Sequence, residues 1–153
     1  MLTRWLLAAL HLVALAVGFA AIWTRARALG AIPAPPAFRR AFVADAAWGV
    51  SAVLWIGTGL LRAFAGFEKG TAYYLGNHVF LTKMALLVVV LLLEILPMVT
   101  LLRWRLAIGR GEEVDATPAR RLALMSYVQA GLVLAMVFAA TAMARGIGDA
   151  PGG

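Results

Sequence analysis

The sequence contains no cysteine and few charged residues. Without cysteine the chain has no disulfide bond, no thiolate nucleophile and no thiolate metal ligand. Charged residues make up 14% of the 153 positions, while 63% are hydrophobic. A soluble domain has about 25% charged and about half apolar residues. The composition therefore excludes an ordinary soluble domain and indicates an integral membrane protein.

Four apolar runs are long enough to cross a bilayer, which takes about 20 helical residues. They cover residues 5–23, 42–61, 79–102 and 122–143. Each run must be a helix, because lipid offers no hydrogen bonds to an exposed backbone. The predicted fold class is all-α: an integral membrane four-helix bundle that forms one domain over residues 1–145, followed by a flexible tail over residues 146–153.

The net charge of +7 comes from arginines concentrated in the first and third linkers. These linker residues are Arg25, Arg27, Arg39, Arg40, Arg103, Arg105, Arg110, Arg120 and Arg121. By the positive-inside rule both linkers are cytoplasmic, so both chain ends face outward. The charge is thus explained by topology, and no nucleic-acid partner is expected.

A few ionisable or strongly polar side chains lie within the apolar runs, where a charge costs about 3 kcal/mol to insert. Lys83 and Glu94 are eleven residues apart, which is three helical turns, so they share one helix face. Glu94 and Gln129 have matching depths on antiparallel helices, which predicts a contact between them. Glu94 is interpreted either as a structural hydrogen-bonding group or as a functional acid, and Lys83 either as a snorkelling residue or as a functional charge.

Asp45 lies only three residues inside the second apolar run. Its nearest basic neighbours in the sequence are Arg39 and Arg40. We expect Asp45 to be a charge at the helix start that pairs with these arginines. The alternative is that Asp45 carries a proton.

His11 and His78 lie near the outer ends of the first and third runs and so share a leaflet. Two neutral imidazoles can serve as axial ligands of a b-type haem iron. His11 lies on a face of small residues and is expected to point into the bundle. His78 is about 140° from Lys83 around an ideal helix, so it faces the interior only if the helix start unwinds at Gly76–Asn77. The alternative for His11 is a satisfied interior histidine.

Four segments together resemble a family of uncharacterised bacterial inner-membrane proteins, domain of unknown function 2214. These segments are Trp55–Asn77, Lys83–Leu87, Leu92–Arg105 and Phe138–Gly146. The resemblance covers nearly the whole chain and implies a multi-pass protein of the bacterial inner membrane.

The layout resembles, more distantly, the CopD-like copper-resistance proteins and the HemJ-like protoporphyrinogen oxidases. In the HemJ-like group a histidine in the first helix and another just before a lysine of the third helix are tied to b-type haem. His11 occupies the first of these positions. Leu81 stands two residues before Lys83, where the second histidine is expected, and His78 lies three residues further back.

Two functions are compatible with these patterns. In the first, the protein binds a cofactor, with b-type haem as the candidate, His11 and His78 as its iron ligands, and redox or porphyrin-related chemistry as its use. In the second, it is a non-enzymatic membrane subunit or small transport component with a structural polar interior. That interior comprises Lys83, Glu94, Gln129 and Asp45. The lipid bilayer is the expected partner, while enzymatic activity, a homo-oligomer and a membrane partner protein are all left open.

Overall fold

The computed structural model describes residues 1–65 and 76–147, apart from the side chain of Pro35. The described residues form four helices and no strand. The helices are α1 (Leu2–Gly30), α2 (Pro35–Phe64), α3 (His78–Gly109) and α4 (Ala119–Ala144). Each is long and apolar enough to cross a membrane. The predicted all-α membrane fold is therefore confirmed, while most of the expected flexible tail lies outside the described residues.

Every helix is longer than the apolar run that predicted it. The helices contain 29, 30, 32 and 26 residues, and a 30-residue helix is about 45 Å long. Pro35 fits the first turn of α2, because the amide it lacks would have no partner there. Asn77 begins α3 by accepting the backbone N–H of Phe80 at 3.0 Å.

The linker predicted between the first two apolar runs, residues 24–41, is much longer than the connection in the structure. α1 continues to Gly30 and α2 begins at Pro35, so only four residues connect them. Arg25 and Arg27 thus belong to α1. Arginine is a good helix former, so α1 continues through Arg25 and Arg27 and does not end at the first arginine after the apolar run.

α1 packs along α2 and α4, and α3 packs along α4. Among the described residues α2 and α3 have a much smaller contact, and α1 and α3 lie diagonally opposite. Gly18 allows α1 to approach α2 closely, since a Cβ at this position would lie 3.1 Å from the Trp48 ring. Gly49 on α2 has no atom within 4 Å of its corresponding Cβ position.

Two large apolar layers and a small cluster around Ala63 and Phe80 fill the bundle core within the described residues. The arginine-end layer lies near the two arginine-rich connections and consists of Ala28, Leu29, Ala41, Leu101, Trp104, Ala119, Leu122 and Ala123. The cleft-end layer lies further along the bundle and consists of Ala14, Ala21, Ile22, Trp48, Trp55, Val90, Ala130, Val133 and Met136. On every helix a polar residue lies in sequence between the residues of one layer and those of the other. The core is therefore interrupted by a polar level.

Candidate functional site

Arg25 is the centre of this polar level and is fully buried, with 0% of its side chain exposed. Its Nη1 donates to Asp45 Oδ1 at 2.7 Å and to Glu94 Oε1 at 2.6 Å. Its Nη2 donates to Glu94 Oε2 and to Gln129 Oε1, both at 2.8 Å. Its Nε donates to Ser126 Oγ at 3.2 Å. We call these five residues the Arg25 network.

The Arg25 network joins all four helices. Arg25 comes from α1, Asp45 from α2, Glu94 from α3, and Ser126 and Gln129 from α4. A guanidinium group has five N–H donors, and all five are used here. The network therefore fixes the relative positions of the helices by directional bonds.

Gln129 completes the network. Its Nε2 donates to Glu94 Oε2 at 2.8 Å and to the Val90 carbonyl at 3.1 Å. No buried side-chain nitrogen or oxygen in the described part of the chain lacks a hydrogen-bond partner. The predicted contact between Glu94 and Gln129 is confirmed.

The predicted pairing of Asp45 with Arg39 and Arg40 is wrong. Asp45 pairs with Arg25 across the α1–α2 interface. The physical reason is its position: α2 begins at Pro35, so Asp45 lies almost three turns inside the helix and faces α1.

Arg25 is absent from the predicted polar interior, because its position after an apolar run indicates a cytoplasmic linker charge. A signal for its burial was present. Arg25 follows Gly18 by seven residues, which is two helical turns, and so continues the small-residue face of α1. An arginine on the packing face of an apolar helix needs acidic partners from the other helices.

A second polar region lies in a cleft at the opposite end of the bundle. The cleft has a volume of ≈ 480 Å³ and is bordered by all four helices. Its surface is mainly apolar, and its basic residues are His11, Arg62 and Lys83. We call it the His11 cleft.

Thr58 orients the imidazole of His11. The Thr58 hydroxyl donates to the Leu54 carbonyl at 2.6 Å, one turn earlier on α2. Its single hydrogen is thereby used, so Thr58 Oγ1 accepts a hydrogen bond from His11 Nδ1 at 3.0 Å. The proton of the neutral imidazole then lies on Nδ1, and Nε2 has the lone pair. Gly59 allows this approach, since a Cβ there would lie 3.1 Å from His11 Cε1.

The structure does not bring His78 together with His11. His78 is exposed as the first residue of α3 and does not border the cleft. The backbone is extended at Asn77, which caps α3, but this local unwinding does not turn His78 inward, and its side chain stays exposed. Within residues 1–65 and 76–147, no three histidine, cysteine or acidic side chains are grouped as a metal site.

The predicted polar interior is divided into two sites. Lys83 borders the His11 cleft, whereas Glu94 belongs to the Arg25 network. Both are partly buried, and Val90, between them on α3, is completely buried in the cleft-end layer. The two residues share the inner side of α3 but serve different sites.

The connection between α3 and α4 carries two acidic groups with altered pKa values. Hydrogen bonds from Arg110 lower the pKa of Glu112. Hydrogen bonds from Thr117, including one from its backbone N–H at 2.9 Å, lower the pKa of Asp115. Both side chains are exposed, and the lowered pKa values keep both carboxylates ionised at neutral pH.

A known protein family matches the part of the chain that contains both sites. The family described as "Predicted membrane protein (DUF2214)" matches residues 3–148. The chain belongs to this family. The DUF2214 match includes every residue of the Arg25 network and of the His11 cleft. No curated protein and no solved structure matches the chain significantly.

Proposed function

We propose that this DUF2214 protein is a multi-pass protein of the bacterial inner membrane that binds a b-type haem in the His11 cleft. The observation that carries this proposal is the hydrogen bond from His11 Nδ1 to Thr58, which leaves the lone pair on Nε2. A metal-bound histidine characteristically donates its other ring N–H to a neighbouring acceptor. His11 makes this second bond by donating its Nδ1–H to Thr58 Oγ1.

The cleft suits a haem in size and in polarity. Its ≈ 480 Å³ volume falls within the range of about 300–1,000 Å³ that is usual for small-molecule sites. The apolar lining suits the macrocycle, and Lys83 and Arg62 provide cations for the propionate groups. A bound haem would supply one-electron redox chemistry.

The ligand set differs from the bis-histidine arrangement that the sequence suggested. His11 would be the only imidazole that this chain offers from the cleft lining, since His78 does not border it. Thr58 would hold the His11 ring in one tautomer and one orientation. The apolar lining would limit the access of water.

Absorbance spectroscopy of the purified protein tests the proposal. Protein prepared in detergent from haem-replete cells is expected to show a Soret band. His11→Ala should abolish the band and Thr58→Val should weaken it, because the imidazole loses its positioning partner. His78→Ala is the matched control and should leave the band unchanged. A colourless wild-type preparation would refute the proposal.

A second candidate function is that of a non-enzymatic membrane subunit or small transport component with a structural polar interior. The Arg25 network favours it, because its bonds connect all four helices and use all five donors of Arg25. Network variants that lower the stability of a wild-type protein found to contain no haem would support a structural role.

We also propose that both chain ends face outward. With Arg25 buried, eight of the nine arginines of the two linkers still lie towards the same end of the bundle. A periplasm-sensitive reporter fused after Gly153 should be active. A reporter that reads cytoplasmic would overturn this orientation.

A further inference from the structure

The charges of the Arg25 network do not balance. Arg25 contributes one positive charge, and Asp45 and Glu94 are two carboxylates, whereas Ser126 and Gln129 are neutral. Arginine stays protonated in proteins. With both carboxylates ionised, these five residues would hold one net negative charge between two apolar layers. Because an uncompensated buried charge is strongly disfavoured, this arrangement favours the uptake of one proton.

The hydrogen bonds distinguish the two carboxylates. Glu94 accepts three N–H groups, two from Arg25 and one from Gln129, and both of its oxygens are engaged. A proton added to either oxygen of Glu94 would have to displace one of these donors. Asp45 accepts one bond through Oδ1. Its Oδ2 accepts no hydrogen bond from the described residues, and 22% of its side chain is exposed.

We propose that Oδ2 of Asp45 is a proton-binding site. The reaction is the addition of one proton to the Asp45 carboxylate, which gives a neutral carboxylic acid and makes the network neutral. The ion pair between Arg25 and Glu94 is retained in both states. The contact between Arg25 and Asp45 changes from an ion pair to a hydrogen bond from a cation to a neutral acid.

α2 and α3 have little contact among the described residues, and the Asp45 side chain is partly exposed. The charged groups that act on Asp45 are Arg25 from α1 and Glu94 and Arg105 from α3. Arg105 is exposed, and its Nη2 donates to the carbonyl of Phe42 at 2.9 Å, one turn before Asp45. Its charge is therefore more strongly screened than that of Arg25. The α4 members of the network do not titrate.

Infrared spectroscopy of the full chain in lipid nanodiscs at neutral pH tests the proposal. A protonated carboxyl group has a C=O stretching band that a carboxylate lacks. We expect this band in the wild type and its loss in Asp45→Asn, which has nearly the same shape as the protonated acid. Glu112→Gln is the matched control and should retain the band, because the exposed Glu112 is ionised at this pH.

Isotope labelling makes the test independent of whether Asp45→Asn folds. The sequence has three aspartates, Asp45, Asp115 and Asp149. In a chain that carries Asp115→Asn and Asp149→Asn, a ¹³C label on the aspartate carboxyl reports Asp45 alone. A shift of the C=O band on labelling is the expected result. The absence of a protonated carboxyl band would overturn the proposal, and so would a band that shifts only when glutamate is labelled. The carboxyl band does not depend on haem content, so this test is independent of the haem proposal.

Discussion

Replacing Arg25 with methionine tests the structural importance of the polar level most directly. Methionine has a similar length and is apolar, so the substitution removes the charge and the five hydrogen bonds with little change in volume. It leaves the carboxylates of Asp45 and Glu94 without their cation. We therefore expect a large loss of stability.

The buried ion pairs and the hydrogen bonds of Arg25 each give the magnitude of that loss. Removing one partner of a buried ion pair destabilises a protein by about 3–5 kcal/mol. Hydrogen bonds between membrane helices average about 0.6 kcal/mol each, so five such bonds correspond to about 3 kcal/mol. Arg25→Met is therefore expected to lower the free energy of unfolding by about 3 kcal/mol or more.

The assay is the reversible unfolding of the purified protein in mixed micelles, followed by circular dichroism. Arg27→Met is the matched control, because Arg27 is exposed on the same helix two residues away, and it should change stability by less than about 0.5 kcal/mol. If Arg25→Met lost no more stability than Arg27→Met, the reasoning would be refuted. The triple variant Arg25→Met, Asp45→Leu, Glu94→Met should recover most of the loss, because it leaves no buried charge.

Three further predictions concern packing around the two sites. Gln129→Leu should lower the free energy of unfolding by about 1–3 kcal/mol in the same assay, because it removes hydrogen-bond partners of buried groups. An unchanged free energy of unfolding would contradict a stabilising role of the Arg25 network. Gly18→Ala should destabilise the bundle by about 1 kcal/mol through overpacking, whereas Gly49→Ala, in open space, should stabilise it by about 0.5 kcal/mol; equal effects would disprove a close helix approach. Gly59→Ala should reduce the haem content measured by absorbance, because its Cβ displaces the histidine ring, whereas Gly57→Ala should not; equal haem contents would argue against the cleft.

The sequence predicted the parts of the molecule that follow from helical periodicity and from the bilayer. The four apolar runs predicted the four helices. The matching depths of Glu94 and Gln129 on antiparallel helices predicted the contact between them. The face of His11 was also predictable, because α1 has small residues at helical spacing. These features depend on a single helix or on one pair of antiparallel helices.

The features that were not predicted depend on several helices at once. Arg25 follows an apolar run, and the ordinary rule treats such a residue as a cytoplasmic flank. The spacing from Gly18 places Arg25 on the packing face of α1, but its burial is favourable only because α2, α3 and α4 provide partners, and the sequence of α1 does not show these partners. In the same way, Thr58 became the partner of His11 only through the crossing of α1 and α2.

The order in which the helices occur gives the bond between Arg25 and Asp45 a consequence for membrane insertion. α1 and α2 form a helical hairpin with a four-residue connection, and this hairpin contains equal numbers of both charges of the network. The buried charges of these two helices, Arg25 and Asp45, can therefore enter the bilayer as a neutral ion pair, before the rest of the chain is synthesised. The additional negative charge arrives only with Glu94 on α3, when the cation is already in place, and Gln129 on α4 supplies the final hydrogen bonds. The succession of charges along the chain thus allows each helix to insert without leaving a lone buried cation.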